Sequence, residues 1–195
     1  MSNFDEFVGS VVAPGGVPEP PKIVLAPTSK RLETGLKILD AVLPVEAGGS
    51  VDLLGPTGLG QLVLLVEIAK NTGATIVACG PSFADLLDDE LQVPAVVVDD
   101  TAQGGGEGAV RLARGLASAG HQVLLVLDPA LWGDGPETGT TAAGGSVTAF
   151  RFAVHPRGGP ATAPCGAAGT QLVFSTASFV VGRYPAIDVT ASQSR

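Results

Sequence analysis

The feature that most constrains the fold is an alternation of short, uninterrupted runs of Val, Leu and Ile with segments of helical pattern. Strands that are apolar on both faces belong to parallel sheets, in which crossover helices cover each face. The sequence therefore predicts an α/β domain with a mostly parallel sheet of six or more strands and helices on both faces. The predicted strands span residues 50–54, 75–79, 95–99, 123–128, 147–154 and 171–175, and the predicted helices span 62–71, 82–91 and 107–119.

Three segments complete the predicted organisation of the chain. Residues 1–30 are rich in proline and glycine and lack a sustained apolar period, which predicts an extended arm with no core of its own. Residues 31–195 are predicted to form one domain, since a chain of 195 residues buries most of its apolar surface around a single core. Within that domain, residues 133–145 have almost no apolar content and are predicted to form a long, mobile loop.

The charge of the chain narrows the classes of partner. Its 19 acidic and 11 basic residues give a formal net charge of −8, which disfavours binding to nucleic acids and anionic membrane surfaces. No apolar run approaches the roughly 18 residues of a membrane-spanning helix, and the first residues lack a basic leader, so a soluble, cytoplasmic protein without membrane insertion is expected. Only 15% of the residues are charged. So few charges for a domain of this size predict an interface with another subunit.

Metal and nucleophilic chemistry find little support in the sequence. Cys79 and Cys165 are far apart and outside any CxxC pattern, and neither His121 nor His155 has a companion at ligand spacing. A serine nucleophile on a GxSxG turn is also missing. No metal centre is therefore expected.

A glycine-rich segment joins the first predicted strand to the helix that follows it. It consists of Gly55, Pro56, Thr57, Gly58, Leu59, Gly60, Gln61 and Leu62. In the phosphate-binding pattern GxxxxGK[ST], backbone amides cradle phosphate, the lysine neutralises its charge and the hydroxyl holds magnesium. Gln61 stands in the place of the lysine and Leu62 in the place of the hydroxyl, so the charge and the magnesium ligand are both missing. Two interpretations stay open, a plain strand-to-helix turn and residual nucleotide binding.

Two further segments lie at the ends of the predicted domain. Residues 32–40 read LETGLKILD, and residues 183–195 read RYPAIDVTASQSR. In this order they resemble the "ETGIKVID" and "YPAID...S.SR" segments of the nucleotide-binding domain shared by rotary ATP synthase alpha and beta subunits, their vacuolar relatives, and flagellar and secretion ATPases. The resemblance covers residues 18–195 and implies a RecA-like P-loop fold.

Taken position by position, the resemblance implies that catalytic groups have been replaced. The family's catalytic carboxylate follows a glycine after the second core strand, where this chain has Gly80 and then Pro81, which has no carboxylate. Asp128 matches a carboxylate that assists magnesium, and an aspartate that caps the next turn is the alternative. Arg195 matches an arginine that enters the neighbouring protomer's site, and a frayed terminal side chain is the alternative.

Together these features favour a catalytically defective relative of the ATPases that acts as a binding, scaffold or regulatory protein. Candidate nucleotide-contacting residues are 55–62 with Asp128 and Arg195, and no catalytic residue is assigned. Weak binding of ATP or ADP stays open, whereas magnesium is not expected. The expected partners are proteins, either copies of this chain or ATPase-family subunits. Two alternatives remain, a noncatalytic nucleotide-binding subunit of a mixed assembly and a self-associating structural protein.

Overall fold

The computed structural model describes residues 25–26, 30–56, 58–80, 83, 92–98, 105–132, 135–153 and 169–194. Within these ranges the strands are β1 Ser50–Leu54, β2 Thr75–Cys79, β3 Ala95–Val98, β4 Gln122–Leu127, β5 Gly139–Thr140, β6 Ser146–Ala153 and β7 Thr170–Val173. The helices are α1 Lys37–Ala41, α2 Gln61–Thr72, α3 Gly105–Ser118 and α4 Thr176–Val180, and Pro129–Leu131 forms a 3-10 turn. The six predicted strands are confirmed to within two residues at each end. The predicted helix 82–91 lies outside the described residues except for Phe83.

One seven-stranded sheet organises the described residues. Its order is β3-β2-β4-β6-β1-β7, and β5 pairs with β6. Every pair along this path is parallel, and the short β5 is antiparallel to β6. The carboxyl ends of the parallel strands therefore meet at one edge of the sheet, and β6 lies between β1 and β4.

Two apolar clusters cover the two faces of the sheet, and each cluster includes the buried side chains of one long helix. On the first face α2 buries Leu64, Leu65, Val66, Ile68 and Ala69. On the second face α3 buries Ala109, Leu112, Ala113, Leu116 and Ala117, which recur at the spacing of one helical stripe. The prediction of a mostly parallel sheet with helices on both faces is confirmed.

The segment that resembles the family's entry motif packs at the C-terminal end of α2. Asp40 Oδ1 accepts hydrogen bonds from the backbone amide and the hydroxyl of Thr34, at 2.9 and 2.7 Å. Asn71 of α2 then donates from Nδ2 to the Thr34 carbonyl at 2.9 Å. Leu39 is fully buried in the first cluster. This motif therefore fixes the start of the domain to α2.

The segment 183–194 covers the outer edge of β7. Ile187 and Gln193 form antiparallel bridges with Phe174 and Gln171, respectively. Between the two bridges, the Ser192 hydroxyl accepts a hydrogen bond from the Val173 amide at 2.9 Å. An edge strand that is covered in this way cannot pair with another chain. The described residues of the second resembling segment therefore also have a structural role, because they cover this edge of the sheet.

The predicted long loop 133–145 contains one short strand that the prediction did not include. Gly139–Thr140 is β5, and Thr140 also bridges Ala26. Close backbone approach at glycine makes the bridge to Ala26 possible, because a Cβ on Gly139 would lie 2.8 Å from the Ala26 carbonyl oxygen. Because Ala26 pairs with the domain, the last described residues of the predicted arm rest on the sheet. The division at residue 30 stays a prediction.

No helix in the described part of the chain is long and apolar enough to cross a membrane.

Candidate functional site

The glycine-rich loop leaves the carboxyl end of β1 and enters α2, as the sequence predicts. Gly55 has φ +150°, and a Cβ at this position would lie 2.8 Å from the Phe174 carbonyl oxygen. Gly58 and Gly60 also have positive φ, +85° and +89°. The three glycines therefore allow a backbone path that other residues rarely follow, and Gly55 lets the loop lie against the end of β7.

Gln61, which stands in the place of the lysine, turns its side chain back into the loop. Its Nε2 donates a hydrogen bond of 2.7 Å to the Pro56 carbonyl oxygen, and the residue is only 6% exposed. This hydrogen bond joins the two ends of the loop and holds the carboxamide inside it. A lysine in a phosphate loop instead directs a charge toward phosphate. The buried Gln61 supplies no charge and occupies space within the loop.

The two leucines nearest to Gln61 in the chain, Leu59 and Leu62, pack in the first core cluster. Leu59 is buried in that cluster, and Leu62 is half-buried and packs against it. The first intrahelical hydrogen bond of α2 runs from the Leu64 amide to the Gly60 carbonyl at 2.9 Å. The amides of residues 61–63 precede this bond and are the donors that a helix N-terminus presents. At the start of α2, the backbone amides are thus the groups that could donate hydrogen bonds to an anion.

Asp128 lies at the same edge of the sheet, after β4. Its Oδ1 accepts a hydrogen bond of 3.0 Å from the Ala130 amide and so caps the 3-10 turn. A Cβ on Gly80 would lie 2.7 Å from the Asp128 Cβ, so these two strand ends approach closely. Because β6 separates β4 from β1, Asp128 and the loop are about 10 Å apart at ordinary strand spacing. The turn-capping alternative for Asp128 thus has direct support in the geometry.

Five residues that the sequence analysis singled out lie outside the described residues: Thr57, Pro81, His155, Cys165 and Arg195. The neighbouring Ser194 is described, and its hydroxyl donates to the Pro44 carbonyl at 2.6 Å. Ser194 also lies 3.3 Å from the Thr170 hydroxyl, at the beginning of β7. This places Ser194 at the amino edge of the sheet, opposite the loop. The role of Arg195 stays a prediction.

Tyr184 lies beside the loop and was missed by the sequence analysis. Its Cε2 is 3.6 Å from the position of a Cβ on Gly60, and the residue is 55% exposed. Partial burial, and after it the nearby carboxylate of Glu67, raise the pKa of the Tyr184 hydroxyl. The signal for Tyr184 was present in the sequence, because it is the single tyrosine of the chain and lies within the resembling segment 183–195.

A buried ion pair lies behind the loop on the second face of the sheet. Arg151 of β6 donates from Nε and Nη2 to the two carboxylate oxygens of Asp52 of β1, at 2.8 and 2.7 Å. The Asp52 side chain is 2% exposed, and the guanidinium of Arg151 lies 5.5 Å from the centroid of the Trp132 ring. Two forked hydrogen bonds fix the arginine and join β1 to β6. Trp132 packs against the second core cluster, so it belongs to the domain interior.

The described residues do not fit a magnesium-bound nucleoside triphosphate. Gln61 is uncharged and is hydrogen-bonded across the loop to Pro56. Leu62 has no oxygen atom for a cation that requires oxygen ligands. One carboxylate oxygen of Asp128 already accepts a hydrogen bond from the Ala130 amide. Among the described residues, no group of three or more His, Cys, Asp or Glu side chains is placed to hold a metal ion. The arrangement offers backbone donors to a small acceptor but no fixed positive charge within the loop.

The electrostatics of Tyr184 lead to a first prediction. Replacing Glu67 with Gln should lower the pKa of the Tyr184 hydroxyl, because it removes a carboxylate that disfavours tyrosinate, while burial still holds the pKa above its ordinary value. A pH titration of tyrosinate absorbance measures this directly, since the chain has one tyrosine. Glu137→Gln is the matched control, because Glu137 pairs with Arg114 and does not contribute to the pKa of Tyr184. Equal shifts in both variants would contradict the assignment.

Comparison with known sequences finds relatives for part of the chain. Over 86 residues the chain is 36% identical to an A-type ATP synthase subunit from Saccharolobus islandicus (strain M.14.25 / Kamchatka #1) and to its counterpart from Saccharolobus solfataricus. The same protein from S. islandicus strain L.S.2.15 is 35% identical over 86 residues. These matches cover 43% of this chain and 14% of the relatives, so the chain corresponds to a small part of their length. No protein family model matches the chain.

Comparison with solved structures shows the fold. An ATPase described as prototypical of the type III secretion system of pathogenic bacteria superposes with a TM-score of 0.69 at 18% sequence identity. The match covers 94% of this chain and 70% of the other. The fold is therefore α/β and RecA-like. Together with the sequence matches, this likeness supports a relationship to the ATP synthase and secretion ATPase family.

Proposed function

We propose that this domain is a catalytically defective relative of the ATP synthase and secretion ATPases that acts by binding proteins, in a scaffold or regulatory role. The observation that carries the proposal is Gln61, whose buried carboxamide closes the loop onto Pro56. A loop in which an uncharged side chain stands in the place of the phosphate-binding lysine has lost the charge that neutralises polyphosphate. Protein binding is then the remaining role of a RecA-like domain with few surface charges.

The expected loss of catalysis follows from the absence of the groups that stabilise charge in the transition state. Phosphoryl transfer depends on positive groups and a metal ion that stabilise the transferring phosphoryl group. Gln61, Leu62 and Pro81 replace the lysine, the hydroxyl and the carboxylate of the pattern that the chain resembles. Each such group is worth several kcal/mol of transition-state stabilisation. An ordinary enzyme has a kcat of ~10 s⁻¹. We expect the combined loss to lower turnover by about 10³-fold or more from this value.

Titration calorimetry with ATP and Mg²⁺, beside a sensitive phosphate-release assay, tests this proposal. We expect turnover at the background of the assay and no saturable heat from magnesium-bound ATP. Turnover at ordinary ATPase rates that is abolished by Asp128→Ala would overturn the proposal, because Asp128 would then be acting on magnesium and not only capping a turn.

A double variant asks whether the loop can be restored. Gln61→Lys with Leu62→Thr supplies the charge and the hydroxyl at once and removes the carboxamide that is hydrogen-bonded to Pro56. We expect ATP affinity to rise at least about tenfold, the effect of ~1.4 kcal/mol. Gln61→Met with Leu62 unchanged is the matched control, since it opens the hydrogen bond without adding charge and should not gain affinity. A gain in the control alone would mean that the hydrogen bond, and not the missing charge, prevents binding.

A second candidate function is that of a noncatalytic nucleotide-binding subunit in a mixed ATPase assembly. The amides at the start of α2 favour it, because a helix N-terminus presents donors to an anion. The same calorimetry separates the two functions. Saturable binding of ATP or ADP without turnover supports the noncatalytic role, and in that case pull-down from the source cells should recover an intact ATPase subunit.

A further inference from the structure

The two outer strands of the sheet differ in how they are covered. At one end, the segment 183–194 bridges β7. At the other end, β3 pairs with β2 and with no other strand in the part of the chain that the structure describes. Every residue of β2 is buried, whereas every residue of β3 is only half-buried. Among the described residues, β3 is therefore the open edge of the sheet.

The hydrogen bonds to β2 show which backbone groups of β3 point outward. The Ile76 amide donates to the Pro94 carbonyl at 2.8 Å, and the register sets Ile76 beside Ala95. In a parallel ladder a residue bonds to the two neighbours of the residue that it faces, so Pro94 and Val96 turn their backbone groups toward β2. Ala95 and Val97 alternate with them and turn their amides and carbonyls away from β2. The outer side of β3 thus presents two donors and two acceptors.

The sequence of β3 does not protect this edge. Natural sheets block an open edge with charged side chains, proline or a bulge. Ala95–Val98 contains no charge and no proline, and its register with β2 is unbroken. The helix on the second face, α3, packs mainly on β4 and β2 and less on β3. The four outward backbone groups are therefore available to another strand.

We infer that β3 pairs with β3 of a second copy of this chain, antiparallel and about a twofold axis at Val96. In this register Ala95 of each copy faces Val97 of the other as a hydrogen-bonded pair, so all four outward groups of each copy gain partners. The two Val96 side chains meet at the axis, on one face of the joined sheet, as a non-hydrogen-bonded pair. The edge is thus complementary to itself in both hydrogen bonds and apolar contact.

The charges beside β3 favour a second copy in this direction. Residues 92–94, before the strand, are uncharged, and Asp99 and Asp100 follow it. Antiparallel pairing sets the acids of each copy beside the uncharged residues of the other. The two acidic ends are then about 20 Å apart along the strands, at roughly 3.4 Å per residue. Parallel pairing in register would instead place like charges side by side, which is destabilising.

The covered edge at β7 limits the association to two copies. Each copy has one open edge among its described residues, because the segment 183–194 bridges β7. An interface in which both copies use the same strand is closed by its twofold axis. We therefore expect a dimer and not a growing sheet. This inference rests on the proposed function in that it takes protein binding to be the role of the domain, and it names the partner.

Multi-angle light scattering of the full chain across a wide concentration range tests the dimer. At about 0.15 M salt, where the screening length is ~8 Å, the wild-type chain should show a monomer–dimer equilibrium. Val97→Pro removes an outward amide that β2 does not use, and an edge strand tolerates proline at such a position. It should raise the dissociation constant at least tenfold.

Val97→Ala is the matched control for Val97→Pro. It shortens the same side chain but keeps the amide, so it should leave the equilibrium unchanged. A monomer at every concentration, assemblies larger than two copies, or equal effects of the two substitutions overturn the inference.

Amide hydrogen exchange tests the interface without any substitution. The amides of Ala95 and Val97 should exchange at least tenfold more slowly above the dissociation constant than below it. The amide of Val96, which faces β2, is the internal control and should exchange equally at both concentrations. Rates for Ala95 and Val97 that do not depend on concentration overturn the inference. Their protection by another protein, with this chain monomeric, overturns it as well.

Oxidative cross-linking tests the position of the twofold axis. Val96→Cys should give a disulfide-linked dimer, because opposite residues of a non-hydrogen-bonded pair have Cα atoms ~4.5 Å apart, within the span of a disulfide. Val98→Cys is the matched control, since Val96 and Val98 pack on the same cluster. Its two copies would lie about 14 Å apart along the strands. Both variants keep Cys79 and Cys165. Equal cross-linking of the two variants overturns the register.

The dimer and the proposed function can fail separately. A monomer that does not hydrolyse ATP overturns only the dimer, and a dimer that hydrolyses ATP overturns only the catalytic defect.

Discussion

Replacing Asp52 with Ala is expected to lower the free energy of unfolding by about 3–5 kcal/mol, which is the usual cost of removing one partner of a buried ion pair. The carboxylate is 2% exposed and accepts both forked hydrogen bonds from Arg151. Without it, the largely buried guanidinium loses both of these hydrogen bonds and the carboxylate that forms its ion pair. Urea unfolding that is followed by fluorescence of the single tryptophan measures the change at a residue that contacts the pair.

A double variant distinguishes two contributions to the free energy of unfolding: the cost of burying Arg151 without Asp52, and the net contribution of the ion pair. Asp52→Leu with Arg151→Met replaces the ion pair by two apolar side chains, and such exchanges are often neutral or stabilising. The double variant should therefore unfold at a higher urea concentration than Asp52→Ala. If it is as unstable as the single variant, then the loss of the pair itself, and not the burial of an arginine that lacks Asp52, accounts for the lower stability.

Replacing Gly55 with Ala is expected to lower the free energy of unfolding by about 2–6 kcal/mol, since two effects add. A side chain at φ +150° is strained by roughly 1–3 kcal/mol, and overpacking costs a further ~1–3 kcal/mol. The new Cβ would meet the Phe174 carbonyl oxygen at 2.8 Å and the Phe174 Cβ at 2.9 Å. Because one of these atoms belongs to the backbone at the end of β7, it cannot move aside without disturbing the sheet. The urea midpoint records the loss.

Gly58→Ala is the matched control for Gly55→Ala. Gly58 has φ +85°, but a Cβ there would meet no atom within 4 Å. Only the left-handed strain of roughly 1–2 kcal/mol applies. If the two substitutions have equal effects, the contact between the loop and β7 contributes nothing to stability and only the backbone conformation matters.

Most of the fold could be predicted because its strands are written as continuous apolar runs. Ser50–Leu54 and Thr75–Cys79 have the predicted bounds, and the remaining predicted strands differ by one or two residues. The order of the strands could not be predicted, since the insertion of β6 between β4 and β1 depends on pairing at long range. β5 was missed because its two residues, Gly139 and Thr140, carry no apolar pattern. The absence of side chains at Gly139 and Gly48 allows the backbone of β5 to lie close to Ala26 and Gly48.

The candidate site was predictable in position but not in conformation. The loop lies where the glycines placed it, yet the direction of the Gln61 side chain depends on the Pro56 carbonyl, which only the folded loop brings within 2.7 Å. The ion pair of Asp52 and Arg151 had a signal in the sequence. Each charge stands alone between apolar residues in the middle of a strand, and the two have opposite signs. What the sequence lacks is the register that sets them side by side, 99 positions apart.

The pair of Asp52 and Arg151 also has a mechanical consequence. It fastens β1 to β6, and β6 in turn pairs along its length with β4, which leads to Asp128. Sliding of β1 against β6 would break two short charge-assisted hydrogen bonds to a carboxylate that is only 2% exposed, so this half of the sheet resists shear. The loop leaves β1 at the carboxyl end of this fastened pair, and Tyr184, which is 55% exposed, lies beside it at Gly60. The strands therefore give the loop a rigid base, whereas its side next to Tyr184 faces solvent.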